Sequence, residues 1–186
     1  MAGLTRLEQL SQQGHIDLFY GDESGVSLLP CVPYGWQFQG DQAGMPSTSG
    51  KGVNCFALLS RQNACWFRTT KQAITAASVA QWLDAFAQNL HRLTVIVLDN
   101  APVHQANVVR RCFKRWQRRG LYVFYLPTYS PHLNIAETLW RKIKYEWLKA
   151  EDYADKETLC YRVWQALAAV GKSLNIRFAK FKQSVT

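Results

Sequence analysis

Apolar positions recur with two different periods along this chain, and the change between them divides it. Leu4, Leu7 and Leu10 follow helical spacing and Gly14 supplies a stop, which predicts a short entry helix within residues 1–14. Residues 16–21 read as a strand. The segments "VSLLPCV", "GVNCFALLS" and "ACWFRTT" are short, apolar and rich in strand formers, so residues 16–70 read as an antiparallel meander. The widest gap, "QGDQAGMPSTSGKG", has loop composition and predicts a mobile loop. From Thr75 the period lengthens: Val79, Leu83, Phe86 and Leu90 form a helical stripe, followed by the continuous apolar strand "LTVIVLD". Residues 106–119 carry Val109, Cys112, Phe113 and Trp116 on one side of a helix, and 121–126 read as a buried strand. Further helices are expected from Ile135 to about Lys149 and near 156–170, before a basic tail over 171–186. A meander followed by alternating helices and strands predicts an α/β fold, a mixed sheet with helices packed on it.

A chain of 186 residues, 48% hydrophobic, is long enough for one well-covered core and short for two, so a single domain over 1–186 is expected. The net charge of +9 is uneven: residues 1–60 are net −3 and residues 61–186 net +12. Such asymmetry favours a polyanionic partner, most simply DNA or RNA, although a basic chain is also compatible with an anionic membrane surface or no specific ligand. Cys31, Cys55, Cys65, Cys112 and Cys160 include no CxxC pair and are odd in number, which fits a reducing compartment. The first fifteen residues lack the long apolar run of a secretory signal, and no stretch is apolar enough to span a bilayer. A soluble, intracellular protein is expected.

Three acidic residues stand where the predicted elements change direction: Asp22 after "IDLFYG", Asp99 after "TVIVL" and Glu137 in "SPHLNIAETLW". Carboxylates at the rim of a basic fold suggest an oxygen-ligand site for Mg²⁺ or Mn²⁺ facing a phosphate-rich substrate. Each position also has an ordinary structural reading. Asp99-Asn100 is common turn chemistry, and "GDESG" suits a hairpin turn. Successive strand residues face opposite sides, so only one of Asp22 and Glu23 can enter a given site. Asn134 as an N-cap places Glu137 at the third helical position, where a glutamate reaches back to the cap. Six cations, Arg110, Arg111, Lys114, Arg115, Arg118 and Arg119, have no acid between them; they suit either phosphates or a solvated helix face. Arg141, Lys142 and Lys144, then Lys172, Arg177, Lys180 and Lys182, offer further backbone contacts. Trp82, Trp116, Trp140 and Trp147 read as core, and Trp36 as the exception. "GMPSTSGKG" has five residues between its glycines and Gly52 where a phosphate-binding loop needs Ser or Thr, so nucleotide binding is not expected.

The words "DES", "VIVLDNAPVH" and "LPTYSPHLNIAETLWRKIKYEW" occur in this order, with "YGWQFQG" between the first two. Together they resemble the catalytic domain of the mariner-like DDE/D transposases, above all their bacterial insertion-sequence relatives, from about Leu7 to Leu148. The resemblance implies a ribonuclease-H-like fold in which Asp22, Asp99 and Glu137 bind two Mg²⁺ or Mn²⁺ ions. It also implies nicking of DNA at transposon ends and attack of the freed 3′-hydroxyl on target DNA, without a covalent enzyme intermediate. Where the family commonly has Asn-Pro-x-Glu, this chain has Asn134-Ile135-Ala136-Glu137. Asn100 and His104, in a family-like "DNxxxH", and Asn134 would stand beside the ligands and orient them or contact DNA; a hydrogen-bonded structural histidine is the other reading of His104. Such transposases normally begin with helix-turn-helix modules, so a separate N-terminal DNA-binding part, self-association when two ends are synapsed, and a bacterial, nucleoid-associated cytoplasmic setting are expected. Two alternatives stay open: another ribonuclease-H-like nuclease, and an inactive DNA-binding or assembly remnant.

Overall fold

The computed structural model describes residues 2–30, 52–128 and 130–179. Trp36, the Gly/Ser-rich loop, the sequence around the false phosphate loop, Cys31, Lys180 and Lys182 lie outside them. In chain order the elements are α1 (Ala2–Gln12), β1 (Asp17–Val26), β2 (Val53–Leu59), β3 (Cys65–Thr70), α2 (Ala76–Ala87), β4 (Thr94–Leu98), α3 (Pro102–Gln105), α4 (Asn107–Arg110), α5 (Phe113–Gln117), β5 (Leu121–Tyr125), α6 (Ala136–Lys142) and α7 (Lys156–Ala169). The strands form one sheet in the order β3-β2-β1-β4-β5, with β1, β2 and β3 antiparallel and β1, β4 and β5 parallel.

This mixed sheet is covered on both faces, which is why β2 and β4 are almost continuously buried. On one face Cys55, Ala57 and Leu59 pack against Leu139 and Ile143 of the α6 region and Leu159, Val163 and Leu167 of α7. Leu18, Tyr20, Val95 and Val97 continue that burial against Leu4 of α1 and Ile135. On the opposite face Phe56, Leu58, Ile96 and Leu98 meet Val79, Leu83 and Phe86 of α2, together with Val109 and Trp116. The helical stripe starting at Val79 is thus the buried side of α2, whose N-terminus is capped by the Thr75 hydroxyl accepting from the Ser78 N–H. Gly14, at φ 75°, ends the entry helix in the left-handed conformation that glycine adopts cheaply.

Four expected elements differ. β1 runs on through Val26, so "GDESG" is strand and not a hairpin turn; its pairing with β2 from Tyr20↔Leu59 to Val26↔Val53 decides this. "VSLLPCV" is not a strand over its described part, because Val26 already ends β1. The helix expected over 106–119 is broken into α4 and α5. The helix expected from Ile135 to Lys149 is α6 followed by one wider π turn, Ile143–Trp147, in which the Leu148 N–H donates to the Ile143 carbonyl.

Candidate active site

Asp22 lies in mid-strand, not at a strand end. The parallel register between β1 and β4 pairs Tyr20 with Val97. Two residues further on, Asp22 on β1 and Asp99 just past β4 stand side by side, at the carboxyl end of β4. Crowding has an electrostatic signature: burial, then the charges of Glu23 and Asp99, push the Asp22 carboxyl from 3.8 up to about 7. Its oxygen Oδ2 accepts a hydrogen bond from the Trp140 indole at 3.0 Å, which partly opposes that rise.

Asp22 and Glu23 face opposite sides of the sheet, as strand geometry requires. Asp22 is paired across β2 with Ala57, on the α6 side, whereas Glu23 is paired with Phe56, on the α2 side. There Glu23 Oε2 lies 2.8 Å from His104 Nε2, an ion-pair distance without the alignment of a hydrogen bond. The other ring nitrogen, Nδ1, is 2.6 Å from Asp99 Oδ1, which also accepts from the Ala101 N–H at 3.0 Å. His104 is fully buried. Burial alone would lower its pKa, but the hydrogen bond to Asp99 and the contact with Glu23 outweigh it and push it up to about 9. The hydrogen bond from His104 in turn holds the Asp99 carboxyl below its ordinary value. Asn100 turns away from this set. Its amide donates to the Leu126 carbonyl and its oxygen accepts from Gln105, which anchors the loop after β4 to the end of β5.

The third element is α6. Asn134 is buried, donates to the Gly21 carbonyl at 3.0 Å and accepts from the Ala136 N–H at 3.1 Å, so one amide fixes the start of α6 against the residue preceding Asp22. Helix bonding begins one residue later than expected, with Ile135 in the capping position. Ile135 has φ −66°, the value a proline ring imposes, so the missing proline leaves the backbone path unchanged. Glu137 is exposed in the first turn of α6, one turn before Trp140, and therefore on the same flank as the indole that reaches Asp22. Its carboxylate makes no hydrogen bond or ion pair among the described residues, so the capping-box role is not taken up. Nor, among the described residues, do three or more His, Cys, Asp or Glu side chains gather around one metal position.

The family model for DDE superfamily endonucleases matches residues 17–160, which contain all three acids. The chain belongs to this family. An insertion element IS630 uncharacterized 39 kDa protein from Shigella sonnei is 27% identical over 157 residues, covering 82% of this chain and 43% of that protein. The chain thus spans less than half the length of that curated relative. Among solved structures, the catalytic core domain of BIV integrase superposes with a TM-score of 0.53 at 17% identity, covering 84% of each chain. The Mos1 transposase paired-end complex with left transposon end gives 0.53 at 17% identity, covering 90% of this chain and 56% of that one. The DDE chain therefore has the ribonuclease-H-like fold of integrase and transposase cores.

DDE transposases generally use divalent metal ions. The donor set of this DDE chain fits one: Asp22 and Asp99 offer hard oxygens, and their mutual repulsion is the kind a cation relieves. Asp99 Oδ1 is committed to His104 and Ala101, which leaves Oδ2 for a ligand, on a side chain 43% exposed. The basic run is less uniform than its sequence. Arg115 is ion-paired with Asp84 of α2, Arg110 donates to Gln105, and Arg111, Lys114 and Arg118 are exposed without a paired acid among the described residues. Arg118 and Arg119 precede Gly120, whose carbonyl accepts from Thr94 at the start of β4. They therefore lie at the end of the sheet away from Asp99. Lys144 lines a groove of about 770 Å³ with Gly25, Asn54 and Lys71, next to a smaller hollow that reaches Glu23. Arg141 is exposed on α6, and Lys142 is paired with Glu146. The sequence by itself gives neither Glu23 nor Trp140 a place at the site. The strand alternation placed Glu23 off the Asp22 side, but only the fold shows its partner.

Proposed function

We propose that this chain is the catalytic portion of an insertion-sequence transposase that nicks DNA at transposon ends and joins the freed 3′-hydroxyl to target DNA. The observation that carries the reading is the placement of Asp22 on β1 beside Asp99, just past the end of the neighbouring parallel strand β4, close enough for one carboxylate to raise the pKa of the other. Asp22, Asp99 and Glu137 would hold the cations, the last by turning from its exposed place on α6. Mg²⁺ or Mn²⁺ bound there would supply Lewis-acid activation of the attacking oxygen and charge neutralisation at the departing one. The chain's own part is positional: His104 and the Ala101 N–H orient Asp99, Trp140 orients Asp22, and Asn134 sets where Glu137 starts.

DNA is the proposed partner, supported by the Mos1 likeness and by the exposed cations Arg111 and Lys114 with Lys144 beside the groove. A separate helix-turn-helix part, self-association on paired ends, a single-domain organisation and a cytoplasmic, nucleoid-associated setting belong to the same proposal. No helix among the described residues is long and apolar enough to cross a membrane. The test is a nicking assay on transposon-end DNA with Mg²⁺ or Mn²⁺, with an N-terminal DNA-binding part supplied in trans. Cleavage by the unchanged chain and none by Asp99→Asn supports the reading, and equal cleavage by both overturns it.

A second reading, an inactive DNA-binding or assembly remnant, is favoured by the one observation that no three-carboxylate cluster stands assembled among the described residues. DNA binding indifferent to Mn²⁺ and to Asp99→Asn would select it.

A further inference from the structure

We propose that Glu23 is a positioning residue for Asp99, acting through the His104 ring. The inference rests on the reading of Asp99 as a metal ligand and adds a residue to it. Glu23 adjoins Asp22 in sequence but faces the other side of the sheet, so it is not placed to share Asp22's ligand. Its Oε2 is buried and stands 2.8 Å from His104 Nε2 as an ion pair, and neither atom has a hydrogen-bonding partner among the described residues. Across the ring, Nδ1 meets Asp99 Oδ1 at 2.6 Å.

The imidazole is therefore held at both ends by carboxylates. Its remaining freedom is taken up by packing and by its backbone. Phe56, the cross-strand neighbour of Glu23, stands edge-on to the ring at 6.4 Å between centroids, and the Tyr125 hydroxyl donates to the His104 carbonyl at 2.8 Å. Outer partners of this kind fix the orientation of a metal-binding group, and losing one typically weakens metal affinity about tenfold to a hundredfold. Withdrawing Glu23 frees the ring to tilt about its Cβ, and Asp99 Oδ1 then loses the partner that keeps Oδ2 outward.

Two conservative substitutions separate reach from charge. Glu23→Gln keeps the length of the side chain and removes its charge; Glu23→Asp keeps the charge and pulls the carboxylate back by one methylene. Mn²⁺ binding to the full chain is measured by calorimetry with the metal alone, after thermal unfolding shows each variant folded. The expected result is Mn²⁺ affinity weakened about tenfold to a hundredfold by Glu23→Asp, which keeps the charge but withdraws it from the ring, and no less by Glu23→Gln, which removes the ion pair. Weakening by Glu23→Gln alone would mean that Glu23 acts through net charge, and an affinity unchanged in both variants would mean that it does not act on the site; either overturns the proposal. Asp99→Asn, measured beside them, keeps the two readings apart. If it binds Mn²⁺ as tightly as the unchanged chain, Asp99 is not a ligand and the function proposed above fails with it. If it loses binding while Glu23→Asp does not, only the role given to Glu23 fails.

Discussion

Trp140 donates its indole N–H to Asp22 across 118 positions of sequence, at 3.0 Å, and so ties the flank of α6 that carries Glu137 to the middle of β1. The bond is made by a side chain that is itself core, 5% exposed and packed with Leu139 and Ile143. Trp140→Phe retains most of that packing and removes the donor. Loss of one such bond to a carboxylate is expected to cost about 1–3 kcal/mol in urea unfolding. It is also expected to raise the Asp22 pKa further, since the indole is one of the groups holding it down. A stability equal to that of the unchanged chain would mean that the contact is incidental.

The protonation of Asp22 links stability to pH in a definite direction. In the folded chain its carboxyl keeps a proton up to about pH 7, whereas the ordinary value is 3.8. Between those values the folded state binds the extra proton, so stability is fully present below pH 4 and falls as pH rises through 7, by an amount of order 4 kcal/mol at most. Asp22→Asn should flatten this decline in metal-free chemical unfolding from pH 4 to 7. The change linked to His104, whose pKa rises from 6.5 to about 9, should remain at higher pH. Both groups favour the folded state at low pH, so the pH window identifies which one acts.

Asn134 is the joint between α6 and β1. Asn134→Ala leaves the Gly21 carbonyl and the Ala136 N–H without their partner in a buried place, at an expected cost of about 1–3 kcal/mol. If α6 is thereby loosened, nicking of transposon-end DNA should fall more than the folded fraction does at the same temperature. Calorimetric Tm and initial nicking rates from one preparation check this.

The basic run should act unevenly on DNA. Arg115 already spends its charge on Asp84, while Arg111 and Lys114 are exposed without an acid partner among the described residues. Arg111→Ala and Lys114→Ala are each expected to reduce the slope of log affinity against log salt by about 1 on any duplex sequence. Arg115→Ala should change it less. Fluorescence anisotropy over a range of NaCl concentrations measures all three, and equal slopes for the three variants would contradict the assignment.

Much of this arrangement is legible in the residues because it is local. The stripe Val79, Leu83 and Phe86 is the buried face of α2, and "TVIVL" is the fully buried β4 that delivers Asp99 to its carboxyl end. The α/β class and the position of Asp99 follow from such periodicity. The break between α4 and α5 and the π turn after α6 were not legible. Both lie in sequences whose apolar spacing suits a continuous helix, and packing decided where the backbone departs from it.

Taken alone, the sequence determined the alternation of elements, the basic excess of the later part and the fact that Asp22 and Glu23 face opposite ways. Only the tertiary structure decided that "GDESG" is strand, that Glu23 meets His104, that Trp140 reaches Asp22 and that Asp84 takes Arg115. The physical reason is range. Period and turn chemistry act over a few residues, whereas these four outcomes depend on groups 29 to 118 positions apart that meet through the pairing of β1 with β2 and β4 and the docking of helices on both faces.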